Sequence, residues 1–206
     1  MEITLNLKIR KEAHRKIAYA QDIIMQVLYE ALPNTVFHGG TAIWRCYGGN
    51  RFSEDIDVYL SSKEVNLFFE KLKQRGFKIL KKRIKDNSLY SLLEFDRIEV
   101  RFKAVFKKVT GILKEYETID GNKLTVRTLS ADDLLSEKVN ACMKRGKVRD
   151  LYDIFFLLRY VQPPKKELQA IEKAKIVDPE NLKVIILTGL VPNISDIKRY
   201  IAQWGK

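Results

Sequence analysis

The sequence predicts an α+β protein: a mixed sheet core with flanking helices, followed by a C-terminal helical subdomain. Three observations predict it. Apolar residues recur at helical spacing over residues 11–32. The following hundred or so residues carry strand-type alternation punctuated by Gly, Asn and Asp, and from Ser130 the pattern is helical again. A chain of 206 residues with 46% apolar residues can bury a core, which excludes bulk disorder. Ten Gly and five Pro exclude collagen-like and low-complexity classes, and two cysteines, Cys46 and Cys142, exclude a disulfide scaffold.

In order, Ile17, Ala20, Ile24, Val27, Leu28 and Ala31 line one face of a first helix over about residues 11–32, which Pro33-Asn34 ends. Thr35-Val36-Phe37 is a short strand leading into Gly39-Gly40, and a short helix follows from Thr41 to about Tyr47. After a Gly48-Gly49-Asn50 loop, residues 55–60 alternate polar and apolar as a strand. Ser61-Ser62-Lys63-Glu64 reads as the capping box of a helix that runs to about Arg75 and stops at Gly76. Strands follow near residues 77–84, 89–95 and 98–106, with turns at Asp86-Asn87 and Asp96-Arg97. Asp120-Gly121 is a hairpin signal, with residues 124–129 as the returning strand. Ser130-Ala131-Asp132-Asp133 caps another helix, and the rest reads as helical, broken at Gly146, Pro163-Pro164, Asp178-Pro179 and Val191-Pro192. This organisation divides the chain into an αβ core, 1–129, and a helical subdomain, 130–206.

There are 38 Lys and Arg against 26 Asp and Glu, a net charge of +12. The excess is clustered: residues 71–85 hold eight Lys/Arg and no acid, and residues 138–149 hold five Lys/Arg. One such run is commonly a solvated face, but two in a small chain point to a polyanionic ligand. No apolar run approaches the ~20 residues a membrane-spanning helix needs. The start, Met1-Glu2-Ile3-Thr4, lacks the basic and apolar segments of a secretory signal. With so little cysteine, the expected location is the reducing cytoplasm, with no membrane partner.

Two segments carry chemistry. In Phe37-His38-Gly39-Gly40-Thr41-Ala42, a strand ends in Gly-Gly and opens a helix, so backbone N–H groups and the helix dipole can meet an anion. The same pattern also serves as a plain turn. In Arg51-Phe52-Ser53-Glu54-Asp55-Ile56-Asp57, Asp55 and Asp57 sit at i and i+2 of a strand and project side by side, while Ile56 and Val58 face the core. Adjacent carboxylates repel unless a cation lies between them, and hard oxygen donors suit Mg²⁺. A lone Asp-x-Asp can equally be a solvated edge; a phosphate cradle just upstream favours nucleotide chemistry.

These residues resemble the DNA polymerase beta-like nucleotidyltransferase superfamily, and more closely its AbiEii/AbiGii toxin family. The family's four motifs have counterparts in Gly39-Gly40-Thr41-Ala42, in Arg51-x-Ser53-x-Asp55-x-Asp57, in Lys138 of Ser136-Glu137-Lys138-Val139, and in Arg149-Asp150-Leu151-Tyr152-Asp153. The resemblance implies transfer of a nucleoside monophosphate from an NTP to an acceptor, with release of pyrophosphate. Asp55 and Asp57 would hold Mg²⁺ or Mn²⁺, and Gly39, Gly40 and Thr41 the β/γ-phosphates. Ser53 would bond a phosphate oxygen or serve a turn. Lys138 would neutralise phosphate charge, as an alternative to being a solvated helix lysine. Asp150 would orient Lys138 or act on the acceptor, with Asp153 on the same helix face. Glu99 is the candidate third metal carboxylate, or else a surface glutamate beside Arg101. The helical subdomain would complete the active-site cleft.

Other residues read as structural: Trp44 and both cysteines as core, and His14 as exposed. His38, beside the Gly-Gly turn, could touch a ligand. The resemblance implies one half of a toxin–antitoxin or abortive-infection pair, with an antitoxin as partner. The basic clusters favour RNA, such as the 3′ end of tRNA, as acceptor. The alternatives are a housekeeping nucleotidyltransferase acting on a small molecule or protein, and a nucleic-acid-binding module with a vestigial site.

Overall fold

The computed structural model describes residues 4–161, 168–169, 171, 174–177 and 181–204. In chain order the elements are α1 (Leu5–Lys8), α2 (Glu12–Ala31), β1 (Val36–His38), α3 (Gly39–Tyr47), β2 (Ile56–Leu60), α4 (Asn66–Gln74), β3 (Lys78–Lys85), β4 (Ser88–Phe95), β5 (Ile98–Phe106), β6 (Ile112–Glu117) and β7 (Lys123–Thr128). They continue with α5 (Ala131–Arg145), α6 (Val148–Leu157), α7 (Leu182–Ile185) and α8 (Ile194–Trp204). The architecture is α+β. The chain forms two compact units, one of residues 1–48 and 52–129, the other of residues 49–51 and 130–206.

The first unit is built on a seven-stranded mixed sheet in the order β3-β4-β5-β2-β1-β7-β6. β2 runs parallel to β5 and β1 parallel to β7, while the remaining neighbours are antiparallel. Ile56 and Val58 of β2, Val100 and Phe102 of β5, and Leu89 and Leu93 of β4 are buried. Their alternation packs one sheet face against α2 and α4, where the Phe68 ring meets Phe102 at 4.9 Å. The opposite face carries the residues in between, which are half-buried or exposed. Phe95 pairs with Ile98, so Asp96-Arg97 is a two-residue hairpin, and positive φ at both (47° and 63°) gives it the twist the strands require.

Under α2 and α3 lies a charged core that sequence periodicity does not show. Asp22 accepts from Tyr116 Oη (2.8 Å) and the Ile119 N–H (2.7 Å), and pairs with Arg45 at 2.9 Å. Arg45 also donates to the Glu117 and Ala18 carbonyls and lies 4.0 Å over the Trp44 ring. Each buried charge thus has both a partner and hydrogen bonds, the condition under which burying one is tolerable.

In the second unit, Ser130 caps α5 by accepting from the Asp133 N–H, and Asp132 and Asp133 in the first turn suit the helix dipole. Gly146 ends α5 at φ +57°, and a Cβ there would stand 2.6 Å from the Lys175 carbonyl. The turn needs glycine for both reasons. Residues 49–51 are stitched to the C-terminal segment: Arg51 bridges Ile186 antiparallel, and the Asn50 amide exchanges hydrogen bonds with the Thr188 backbone.

Four expectations change. The helix predicted at the 61–64 capping box begins only at Asn66, and Ser62 Oγ accepts from the Glu64 N–H in a local turn instead. The C-terminal portion is not wholly helical, since residues 186–193 are bridge, bend and extended chain. His14 is not exposed: it is half-buried and stacked on Phe52 at 4.1 Å, and burial lowers its pKa. The short helix after β1 starts at Gly39 rather than Thr41. The predicted breaks at Pro163-Pro164 and Asp178-Pro179 lie outside the described residues. Among the described residues, no helix is long and apolar enough to cross a membrane, and the two cysteines are free.

Candidate active site

β1 and β2 place the first two motifs side by side. His38 and Asp57 are direct register partners, and the chain turns at Gly39 into α3. Gly39 has φ +77°, and a Cβ on it would sit 2.7 Å from Asp57 Oδ2. Glycine is therefore required both by the backbone conformation and by the carboxylate behind it. Gly39→Ala is expected to destabilise the fold by about 1–2 kcal/mol and, by displacing Asp57, to reduce any activity of the site. A thermal melt beside an activity assay measures both; a variant unchanged in both would show that this approach is unimportant.

Thr41 is engaged by the backbone of the second motif. It is fully buried, and its hydroxyl donates to the main-chain carbonyls of Asp55 and, at 3.3 Å, Ser53. Gln21 Nε2 donates to the same Ser53 carbonyl at 2.9 Å. Thr41 thus positions the segment entering β2. Ser53 is half-buried, and its backbone is the part held by these contacts.

Asp55 and Asp57 are half-buried on the open sheet face, flanking buried Ile56. Asp55 Oδ1 accepts from Arg101 Nε at 2.6 Å and Oδ2 accepts from Lys103 Nζ. Burial alone would push the Asp55 carboxyl up, but these two cations hold it below the ordinary carboxylate value. Two adjacent aspartates on the strand beside the Gly39-Gly40 turn are hard oxygen donors of the kind that fit a divalent cation. Glu99 is exposed on β5 and pairs across to Glu94; Arg101 and Lys103 occupy the next two same-face positions. Glu99 lies four residues before Lys103, the register partner of Asp57, and among the described residues no group of three or more acidic, His or Cys side chains is assembled to hold a metal.

Register extends this pair into a row. Arg83 of β3, Tyr90 of β4, Lys103 of β5, Asp57 of β2 and His38 of β1 are successive cross-strand partners. His38 stacks on Tyr59 at 4.1 Å. Lys81 shares the face, 5.7 Å over Tyr90, whereas Lys82 points to the helix side, 4.4 Å over Phe69. The charges of the 71–85 run are therefore split between two faces.

The third and fourth motifs form a buried ionic cluster within the second unit. Asp153 is held bidentately by Arg51 at 2.7 Å on both oxygens, and Lys138 Nζ lies 2.8 Å from Asp153 Oδ2. Asp150 is held bidentately by Arg145 at 2.7 Å, with Lys138 3.8 Å away. Lys138 is thus oriented mainly by Asp153 rather than by Asp150, and it is a buried lysine rather than a solvated one. Burial would raise the Asp153 pKa, yet Arg51 and Lys138 keep it below the ordinary value. Arg51, Arg101, Lys103 and Arg145 had no assigned role in the sequence. Arg101 and Lys103 alternate with buried Val100, Phe102 and Ala104, a signal that places them on the open face but not beside Asp55.

A Gly-Gly turn between strand and helix, with paired aspartates on the adjoining strand of a mixed sheet, defines the nucleotidyltransferase class, and solved structures share the fold. MenT4, a nucleotidyltransferase toxin from Mycobacterium tuberculosis, aligns with a TM-score of 0.70 at 15% identity over 99% of this chain and 89% of that one. JHP933 from Helicobacter pylori aligns with a TM-score of 0.62 at 19% identity over 91% and 90%. No curated protein matches the chain. The family described as nucleotidyl transferase AbiEii toxin, type IV TA system, matches residues 25–188, and the chain belongs to that family. It is a nucleotidyltransferase.

Proposed function

We propose that the chain moves a nucleoside monophosphate from an NTP to a hydroxyl of RNA, such as the 3′ end of tRNA, as the cytoplasmic toxin of a toxin–antitoxin pair. The observation that carries the RNA acceptor is the cross-strand row from Asp57 through Lys103 and Tyr90 to Arg83, with Lys81 beside it. It offers cations for phosphates and an aromatic ring for a base, leading away from the aspartate pair.

The acceptor oxygen bonds to the α-phosphorus, the bond from that phosphorus to the β-phosphate oxygen breaks, pyrophosphate leaves, and the hydroxyl proton passes to solvent. Mg²⁺ or Mn²⁺ held by Asp55 and Asp57 would supply charge neutralisation and activation of the hydroxyl. Gly39 and Gly40 let backbone N–H groups at the start of α3 approach the β/γ-phosphates. Thr41 holds the Asp55 backbone in place. The family motifs assign Lys138 to neutralising phosphate charge and Asp150 to supporting it. An antitoxin protein is the partner the family implies.

Incubation with each labelled NTP, Mg²⁺ and total RNA tests this reading. Label in RNA, lost in the Asp57→Ala variant, is the expected result; label only in a protein or small molecule would replace the acceptor. RNA affinity should also fall with salt, with a log–log slope of about −0.7 per phosphate contact for single strands. Neutralising Lys81 and Arg83 to Gln should flatten the slope by roughly 1.4, whereas Lys82→Gln should leave it nearly unchanged. Equal effects from both faces would remove the open face from acceptor binding.

A further inference from the structure

Nucleotidyl transfer with two divalent cations needs enough carboxylate to hold both. Here the strand beside β2 supplies the opposite charge. Lys103 stands in parallel register with Asp57, and its ammonium is on Asp55 Oδ2, while Arg101 Nε is 2.6 Å from Asp55 Oδ1. Both oxygens of one aspartate are thus already engaged by side-chain cations. Arg101 also holds the neighbouring Glu54 at 3.0 Å, so three carboxylates face two cations and the immediate site carries a single net negative charge. A first divalent cation, arriving with its nucleotide, can displace one ion pair and be balanced by the triphosphate. A second would stand next to both Lys103 and Arg101, with only Asp57 not already committed to them.

We infer that this site takes one divalent cation with its nucleotide rather than two, and that the Lys103 ammonium supplies the second positive charge. The inference rests on the proposed transferase reading of Asp55 and Asp57. It also gives Lys103 a second effect: without nucleotide, it competes with metal for Asp55. Both side chains are exposed enough to move, Lys103 at 41% and Arg101 at 46%, so the exchange needs no unfolding.

The test is a count of Mn²⁺ per chain by calorimetry and by electron paramagnetic resonance, with a non-hydrolysable NTP analogue present. One Mn²⁺ is expected for the wild type and for Lys103→Arg, and two for Lys103→Asp, which places a third carboxylate opposite Asp57. Two Mn²⁺ in the wild type would overturn the inference and leave the transferase reading standing. None would overturn both. One Mn²⁺ in a folded Lys103→Asp would show that Lys103 does not set the count. Lys103→Met, which removes the charge but keeps the length, covers the case in which Lys103→Asp does not fold. Without nucleotide it should bind Mn²⁺ roughly tenfold more tightly than the wild type, as expected on removing one nearby like charge. An unchanged affinity would overturn the competition for Asp55.

Discussion

Asp57→Ala is expected to lower nucleotidyl transfer by at least ~10³-fold, about 4 kcal/mol of transition-state stabilisation, while the protein stays folded. The carboxylate lies on the open sheet face against Gly39, and its neighbours Ile56 and Val58, fully buried, carry the packing of β2. Removing one of two adjacent carboxylates relieves repulsion in the metal-free protein, so the melting temperature should hold or rise. Single-turnover transfer at saturating Mg²⁺, beside a thermal melt, checks both. Activity within tenfold of the wild type would show that the chemistry does not use this strand.

The largest effect on stability is expected at Asp153, which the reaction need not touch. The side chain is buried between Arg51 and Lys138. Asp153→Ala leaves two buried cations facing each other, and breaking such a pair costs about 3–5 kcal/mol. A fall in melting temperature on the order of 10 °C should follow. The pH dependence has a definite sign. Burial pushes the carboxyl up, but Arg51 and Lys138 outweigh it, so the folded pKa lies below the ordinary 3.8. Asp153 therefore contributes stability that is fully present above 3.8 and is lost as pH falls through the depressed folded value. Asp22 works in the opposite sense: burial, set against Arg45, leaves its pKa raised, so its contribution fades as pH rises through that value. Urea melts from pH 7 to pH 3 on wild type and Asp153→Ala separate the two. The difference between the proteins should shrink as the solution is acidified below pH 3.8; a pH-independent difference would mean that Asp153 acts through packing alone.

Much of the fold was legible because the signals were local. Helical spacing over residues 11–32 and the Pro33 stop correspond to α2, and the hairpin at Asp96-Arg97 was readable from its turn residues. Where the prediction slipped, a local signal had more than one use. Ser62 can cap a turn as well as a helix, and residues 186–188, ahead of Gly189, depart from helix to pair with distant residues 50 and 51. Strand β6 was implied by the Asp120-Gly121 turn yet had no bounds of its own, since Ile112 and Leu113 are exposed and blur its alternation.

The sequence by itself determined the chemistry on offer: a Gly-Gly turn ahead of an i, i+2 pair of aspartates, a lysine on one helix and two aspartates on the next. Residue type and spacing along one element suffice for that, because strand and helix periods set which side chains share a face. Tertiary structure alone decided the charge environment. That Lys103 lies beside Asp55, that Arg51 clasps Asp153 across 102 positions of chain, and that Thr41 turns its hydroxyl to a backbone carbonyl all depend on pairings between distant segments. Ion pairs act over a few ångströms of space, and sequence separation carries no information about that distance until the strands have found their order.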